Sequence, residues 1–159
     1  MAEYCDVTVT NSTSGYFLTN PQYHMEHGQP QSFLPSVIEP GKSGNATFIK
    51  TPYTAYGVAV VVTYDIVKKA TQTITGQIVF FCSVTCSFLY NNWFGLGVFD
   101  HSQPCGEYLY SKMQDGKQEG FLRQKASDGL LSHSKGRVKV SGTMTAGRQA
   151  DLNLVVTDC

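Results

Sequence analysis

Apolar side chains recur at every second position along several short segments of this chain. Val7 and Val9, for example, alternate with polar neighbours near the start of the sequence. Successive side chains of a β-strand point to opposite faces, so this period predicts half-buried strands. The other segments with the same alternation are Leu96/Val98, Val138/Val140 and Leu152/Leu154/Val156.

Residues 58–62 form a continuous apolar run that is rich in β-branched side chains. Such a run is typical of a central strand that is covered on both faces. Residues 74–81 form a second apolar segment after the polar link 68–71, and the two segments together predict a hairpin. Several short strands separated by Gly, Pro and Asn favour an all-β fold, a β-sandwich.

The segment that follows Ser102-Gln103-Pro104 is the clearest helix prediction. Proline is tolerated in a first helical turn, so we expect the helix to begin here. Leu109 and Met113 then lie one turn apart, and Gly116 supplies a stop signal. A second short helix within residues 12–27 is left open.

Composition limits the classes of protein to which the chain can belong. Its 159 residues form one domain by length, residues 1–159, and 42% are hydrophobic while 15% are charged. Twelve basic residues balance twelve acidic ones, so no net field attracts nucleic acid or anionic lipid. We therefore expect no nucleic-acid partner, and any membrane attachment should depend on aromatic side chains and head-group fit.

The sequence contains no segment typical of a membrane span or a secretory signal. The longest apolar run, residues 57–62, is far shorter than the roughly 20 residues that a spanning helix needs. The first residues lack a basic region and an apolar core of the signal-peptide type. We expect a cytoplasmic protein, or one that is secreted by a non-classical route or has lost its leader.

Large apolar and aromatic side chains surround the pair Asn91-Asn92. Asparagine pairs are turn residues, so we expect these side chains to crown a loop. Trp and Tyr favour boundaries that are apolar at one end and wet at the other, including the membrane interface. The alternative is that they fill one end of the sandwich as ordinary core. The side chains are those of Phe88, Leu89, Tyr90, Trp93 and Phe94.

The stretch from Phe81 through Phe99 resembles the membrane-binding segment of the actinoporins, in which a Phe-Ser-Val-Pro run leads to Tyr-x-Asn-Trp-Trp. The resemblance covers nearly the whole chain, residues 7–156, and is closer to vertebrate actinoporin-like proteins than to sea-anemone toxins. Its further motifs are Leu34-Pro35, Pro40-Gly41-Lys42, Ala55-x-Gly57-x-x-Val60, Thr63-Tyr64-Asp65, Asn92-Trp93-Phe94 and Gly142-Thr143-Met144-Thr145.

The resemblance implies a fold and a function. It implies an actinoporin-like β-sandwich of about ten to twelve strands with one or two short flanking helices. It also implies recognition of phosphocholine head groups, sphingomyelin above all, followed by insertion of an N-terminal helix into an oligomeric pore. Here the first strand is expected to start by Cys5, which leaves no room for that helix. We therefore expect a peripheral membrane-binding protein in which pore formation is doubtful.

The resemblance also implies a head-group site, which this chain retains in part. The matching aromatic residues are Tyr90, Trp93 and Tyr110, with Phe88, Leu89 and Phe94 as the membrane-contact residues. Other positions of the site carry different residues here: Gln114 and Asp115 replace two tyrosines, Cys82 and Val84 replace a serine and a proline, His27 replaces a serine, and Ala59 replaces a valine. Each lost aromatic face removes about 0.5–2 kcal/mol of attraction for a quaternary ammonium. The pocket therefore fits either a lipid head group or a reshaped ligand such as a sugar.

Three hypotheses about function follow from this comparison. The first is a lipid-surface binding module of the actinoporin type, with homo-oligomers on membranes as an open possibility. The second is a lectin that binds cell-surface glycans, since mushroom lectins share this sandwich and Gln114, Asp115 and His27 suit sugar hydroxyls. The third is a haemolytic pore-forming toxin.

Metal, cofactor and catalytic signals are weak. Cys82-x-x-x-Cys86 and His24-x-x-His27 resemble metal-ligand spacings, but a three-residue step on a strand reaches opposite faces, so we predict no metal site. No nucleophile elbow or phosphate loop is present, so neither an enzymatic activity nor a cofactor is predicted. Five cysteines cannot all pair. We expect free thiols, with a Cys5–Cys159 disulfide as a hypothesis if the first and last strands are antiparallel neighbours.

Overall fold

Strands dominate the structure, a computed structural model that describes residues 3–86, 91–116 and 120–159. Within these ranges twelve strands form two six-stranded sheets, which confirms the predicted all-β sandwich. The strands are β1 (Tyr4–Ser12), β2 (Tyr16–His27), β3 (Gln29–Pro30), β4 (Val37–Ile38), β5 (Ser43–Ile49), β6 (Val58–Lys68), β7 (Thr73–Val84), β8 (Trp93–Phe99), β9 (Phe121–Lys125), β10 (Leu131–Lys135), β11 (Val138–Met144) and β12 (Gln149–Asp158).

Sheet A has the strand order β10-β11-β12-β1-β5-β3, with the first and last strands of the chain side by side at its centre. β1 and β12 run parallel, and Cys5 lies opposite Ala150. Cys159 follows the far end of β12, about nine residues or roughly 30 Å further along the sheet. The hypothesis of a Cys5–Cys159 disulfide is therefore wrong, because parallel strands place the two sulfurs at opposite ends.

Sheet B has the order β4-β2-β6-β7-β8-β9, and its strands are antiparallel neighbours. The predicted hairpin is the β6–β7 pair. The segment in which a second helix was left open instead contains β2, which pairs with β6 along most of its length.

The helix α1 covers Glu107–Asp115, and a separate 3₁₀ turn covers Ala126–Asp128, directly after β9. Its predicted end is confirmed, since Gly116 caps it in a left-handed conformation with φ 69°. Its predicted start is wrong: the cap is Gly106, and residues 102–104 precede the helix without joining it. No helix within the described ranges is long and apolar enough to cross a membrane.

The apolar run of β6 is explained by burial on both faces of sheet B. Val58, Val60 and Val62 point into the main core between the two sheets. Val61 points the other way, into a second group beneath α1, which we call the outer cluster. The outer cluster consists of Val61, Val79, Phe81, Phe99, Leu109, Met113 and Phe121.

Candidate functional site

A cleft of about 330 Å³ opens on the outer face of sheet B, at the end where β2 and β7 stop and β6 begins. The loop 50–57 and the helix α1 form its sides. The residues that line it are His27, Ala55, Tyr56, Gly57, Val58, Ala59, Ser83, Val84, Thr85, Cys86, Tyr110 and Gln114. Five of the nine residues predicted for a head-group site are among them: His27, Ala59, Val84, Tyr110 and Gln114.

The strand register explains how these residues meet. His27 of β2 lies opposite Ala59 of β6, and Ala59 lies opposite Ser83 of β7. Ser83 in turn lies opposite Trp93 of β8. Directly opposed residues share a face of a sheet, so this row carries its side chains onto the helix side. Trp93 accordingly packs against the outer cluster and stands beside the cleft without lining it.

One residue predicted for the head-group site, Cys82, and one predicted for the membrane-contact loop, Phe94, face the main core instead. Cys82 and Phe94 are direct strand partners, and both side chains are fully buried between the sheets. The prediction of Phe94 as a membrane-contact residue is therefore wrong, as is the prediction that Cys82 lines the head-group pocket. The reason is the two-residue period of a strand, which turns their neighbours Trp93 and Ser83 outward.

The other predicted residues have different outcomes. Val84 packs its side chain in the main core, although it forms part of the wall of the cleft. Asp115 is exposed at the end of α1 and does not line the cleft. The positions of Phe88, Leu89 and Tyr90 lie outside the described residues, so their part in a membrane-contact loop stays a prediction.

The most distinctive feature of the cleft is a stacked pair of rings that the sequence analysis missed. The rings of His27 and Tyr56 lie 4.1 Å apart with an angle of 4° between their planes. Tyr56 nevertheless remains 59% exposed, because stacking covers one face of its ring. The sequence signal that could have identified Tyr56 was its place between Ala55 and Gly57, inside a segment that resembles the family pattern.

Gly57 brings the loop 50–57 into contact with the end of β7. A Cβ atom at this position would lie only 1.9 Å from the carbonyl oxygen of Val84, so a side chain would force the loop away. Within the loop, Thr54 Oγ1 donates to the carbonyl oxygen of Thr51 at 2.8 Å, and Lys50 donates to the carbonyl oxygen of Thr54. The loop thereby holds Tyr56 against His27.

Tyr110 forms the helix side of the cleft. Its half-buried ring packs against the outer cluster, and its hydroxyl lies 3.4 Å from Gln114 Oε1. Burial, followed by the charges of Glu26 and Cys82, raises the pKa of Tyr110 to about 12. The phenol therefore stays neutral at physiological pH. Glu26 itself is paired with His24 Nε2 at 2.9 Å.

Trp93 is already engaged on one face of its ring. The guanidinium carbon of Arg123 lies 4.4 Å from the ring centroid, within the range of a cation–π contact. Arg123 also donates to the carbonyl oxygen of Gln114 near the end of α1. One cation thus joins the indole to the helix that borders the cleft.

Asn92 anchors the described ends of the predicted aromatic loop. Its Oδ1 accepts from the backbone N–H of Thr85 at 3.2 Å, and its Nδ2 donates to the carbonyl oxygen of Gly147 at 2.6 Å. The carbonyl oxygen of Asn92 accepts from the N–H of Ala126 at 3.0 Å. The Asn91-Asn92 pair was predicted as turn residues. Asn92 is buried, and its hydrogen bonds join three separate segments of the chain.

Metal-ligating residues do not converge in the part of the chain that the structure describes. No group of three or more His, Cys, Asp and Glu side chains is placed to hold a metal ion there. What the cleft offers instead is aromatic faces, hydroxyl groups and backbone polar groups, which suits non-covalent binding.

Comparisons with known proteins identify the fold. No protein-family model matches the chain, and no curated protein sequence matches it significantly. Among solved structures, the lipid binding protein Nakanori superposes with a TM-score of 0.75 at 16% identity, covering 98% of this chain and 71% of that one. A lectin from Xerocomus chrysenteron, XCL, superposes with a TM-score of 0.54 at 15% identity, covering 98% and 99% of the two chains. At such identities the likeness establishes a shared β-sandwich fold alone.

Proposed function

We propose that this protein binds phosphocholine-type head groups of membrane lipids in the cleft beside the Tyr56–His27 stack. The observation that carries the proposal is that this stack and Tyr110 line one cavity at one end of the sandwich. The fold shared with the lipid binding protein Nakanori supports it. Binding, rather than catalysis, is the activity that these residues suit.

The physical basis is the attraction of a quaternary ammonium to aromatic faces, each worth about 0.5–2 kcal/mol. Family resemblance places two tyrosines at positions that are Gln114 and Asp115 here, which removes two such faces. Tyr56 supplies an aromatic face from a different element, the loop 50–57. Ser83 and the ring of His27 lie on the sheet side, where they can donate to phosphate oxygens.

The exposed tyrosines of the same loop give the cleft an orientation toward a membrane. Tyr53 is fully exposed at the tip of the loop, in a left-handed conformation with φ 64°, and Tyr56 is largely exposed beside it. Tyrosine favours the water–lipid interface, so the loop would lie at head-group level with the cleft beside it. Since the chain has no net charge, this attachment should depend little on salt.

Vesicle flotation tests the proposal. The protein should float with phosphatidylcholine vesicles, more strongly with sphingomyelin present, and soluble phosphocholine should compete. Tyr56→Ala should reduce binding about tenfold, as expected for the loss of an aromatic face on a cation. Tyr108→Ala is the matched control, since Tyr108 is exposed on α1 but does not line the cleft. Equal flotation of all three proteins, or none at all, would refute the proposal.

Dye release and chemical cross-linking on the same vesicles address the finer predictions from the family. Vesicle binding without dye release would identify a protein that binds the membrane surface and does not permeabilise it. Release, together with cross-linked oligomers that form only on vesicles, would mean that the protein also lyses membranes.

A second candidate is the binding of neutral sugars in the same cleft. The observation in its favour is the polar lining, in which Gln114 and Ser83 offer donors and acceptors that suit sugar hydroxyls. The lectin XCL shares the fold. A glycan array with the parent protein and Gln114→Ala would decide: glycan signals that this substitution abolishes, with no vesicle flotation, would favour the lectin.

A further inference from the structure

A second cavity among the described residues lies at the opposite end of the sandwich from the cleft. It has a volume of about 680 Å³ and is formed where the β1–β2 turn, the β6–β7 hairpin, the β10–β11 turn and the end of β12 meet. We call it the distal cavity. β6 begins in the cleft and ends at Lys68 beside the distal cavity. The eleven residues of this strand separate the two by about 35 Å.

We propose that the distal cavity binds an acidic sugar residue, one that carries a carboxylate or a sulfate. Three cations converge on it from two separate turns: Lys68 and Lys69 from the hairpin, and Arg137 from the β10–β11 turn. The whole chain is electrically neutral, so this concentration of positive charge is local. Converging like charges repel, and an anion bound between them removes that cost.

These cations are not used elsewhere in the described part of the molecule. Within it, no ion pair or side-chain hydrogen bond joins Lys68, Lys69 or Arg137 to an acceptor. The one carboxylate side chain in the lining, Asp158, accepts from the backbone N–H of Ser14 at 2.8 Å and keeps its charge, so three cationic side chains face one anionic side chain. The nearby Asp100 is already engaged by Lys135 at 3.6 Å and by His101.

The backbone around the cavity is fixed by hydrogen bonds between the turns. The N–H of Lys69 donates to the carbonyl oxygen of Gly15 at 2.9 Å, and the N–H of Cys159 donates to the carbonyl oxygen of Arg137 at the same distance. The turns that carry the cations are therefore held in place before any ligand arrives, which lowers the entropic cost of binding.

A sugar ring, rather than a bare anion, fits the remainder of the lining. Tyr16 lines the cavity while its ring packs against the main core, which fixes an aromatic surface beside the cations. An aromatic face beside Arg and Lys suits a ligand with an apolar ring face and an anionic substituent. The lining is mostly apolar, which disfavours a small, strongly hydrated ion.

Amide-resolved NMR titration of the full chain tests the proposal. The probes are N-acetylneuraminic acid, glucuronic acid and glucose 6-sulfate, with glucose and inorganic sulfate as comparisons. We expect an acidic sugar to shift the amides of Gly15, Lys69 and Arg137 and to leave those of Gly57 and Ser83 in the cleft unchanged. Glucose should shift neither set. Shifts confined to the cleft, or no shifts with any acidic sugar, would overturn the proposal.

Three variants sharpen the test. Arg137→Gln should weaken binding of the acidic sugar about tenfold, while Lys139→Gln, which alters an exposed lysine outside the cavity lining, should not. Tyr16→Leu keeps the apolar packing but removes the aromatic face, so it should weaken the sugar and spare sulfate. Inorganic sulfate that binds as tightly as the sugars, unaffected by any variant, would mean an adventitious ion only. Because the probes and the amides differ from those of the cleft, failure here leaves the lipid proposal standing.

Discussion

The two faces of sheet B come from the same strands but are covered in different ways. The inner face packs against sheet A through the main core, and central residues such as Val60 and Phe94 are fully buried. The outer face is covered by α1 only around Val61 and Phe81, and beyond the helix it opens into the cleft. A step of one residue along β7 or β8 therefore moves a side chain between a structural and a binding environment.

The largest effect should come from emptying the inner face. Phe94→Ala should lower the free energy of unfolding by about 3–5 kcal/mol, because it leaves a cavity in the main core. Trp93→Ala, on the outer face and partly exposed, should cost about 1–2 kcal/mol. Urea denaturation measures both, and Phe94→Leu provides a folded reference if the alanine variant is too unstable. Equal losses at the two positions would contradict the difference between the faces.

The next effect concerns the loop 50–57, which borders the cleft on the outer face. Gly57→Ala should cost about 1–3 kcal/mol and abolish vesicle flotation, because its Cβ would collide with the carbonyl oxygen of Val84. Gly15→Ala is the matched control, since no atom lies within 4 Å of a Cβ there. Urea midpoints and flotation for both variants check the prediction. Normal flotation by Gly57→Ala would show that the loop position does not shape the cleft.

A smaller effect distinguishes the thiols of the two faces at alkaline pH. Burial raises the pKa of Cys105, beside the outer cluster, from 9.0 to about 11. Contact with Cys82 and burial raise the pKa of Cys5, in the main core, well above its usual value. At a pH between 9 and these raised pKa values, the two thiols are ionised in the unfolded chain but not in the folded protein. The free energy of unfolding should therefore fall as pH rises above about 9.

Cys105→Ala isolates the outer part of this dependence. The parent should lose about 1–2 kcal/mol more than the variant between roughly pH 8 and pH 11, measured by urea midpoints. The part due to Cys5 should remain in this variant and continue to higher pH. Identical pH profiles of parent and variant would show that the Cys105 thiol ionises equally easily in the folded protein.

The smallest effect comes from a contact at the border of the inner face. The N–H of Val98, on sheet B, donates to Nδ1 of His133, on sheet A, at 3.0 Å. Burial, with a contribution from Lys135, lowers the pKa of His133 from 6.5, so the folded state favours the neutral ring. Stability should therefore fall by less than about 1 kcal/mol as pH drops through this range, and His133→Ala should remove that slope. If the stability of the His133→Ala variant fell more steeply with decreasing pH than that of the parent, His133 would not be the cause of the slope.

Sequence periodicity was enough to predict the class of fold. The alternation at Val7/Val9 and the apolar run 58–62 both predicted strands. The apolar run also predicted a strand that is buried on both faces of its sheet. The parallel pairing of β1 with β12 could not be predicted in this way, because it joins residues 145 positions apart and leaves no local pattern. The helix start was misplaced for a different reason: Pro104 is compatible with a first turn, but the first helical hydrogen bond runs from the N–H of Tyr110 to the carbonyl oxygen of Gly106.

The candidate site was predicted less well, because a binding site depends on register and on approach between elements. The residues predicted from the family resemblance include His27, Ala59, Tyr110 and Gln114, which line the cleft, but also Cys82, where Ser83 faces the cleft instead. Nothing in composition distinguishes these neighbours, and only the strand pairing does. The stacking of Tyr56 depends on the approach of Gly57 to β7, a tertiary contact that no local pattern encodes.

The pairing of β1 with β12 has a mechanical consequence. Because the strands are parallel neighbours, the start of β1 and the end of β12 lie at opposite ends of sheet A. A pulling force applied between these two points runs along the strands and loads their hydrogen bonds in shear. Bonds loaded in this way must yield together, whereas a hairpin pulled from its open end unzips one bond at a time. The centre of sheet A should therefore resist stretching along the axis that joins the cleft to the distal cavity.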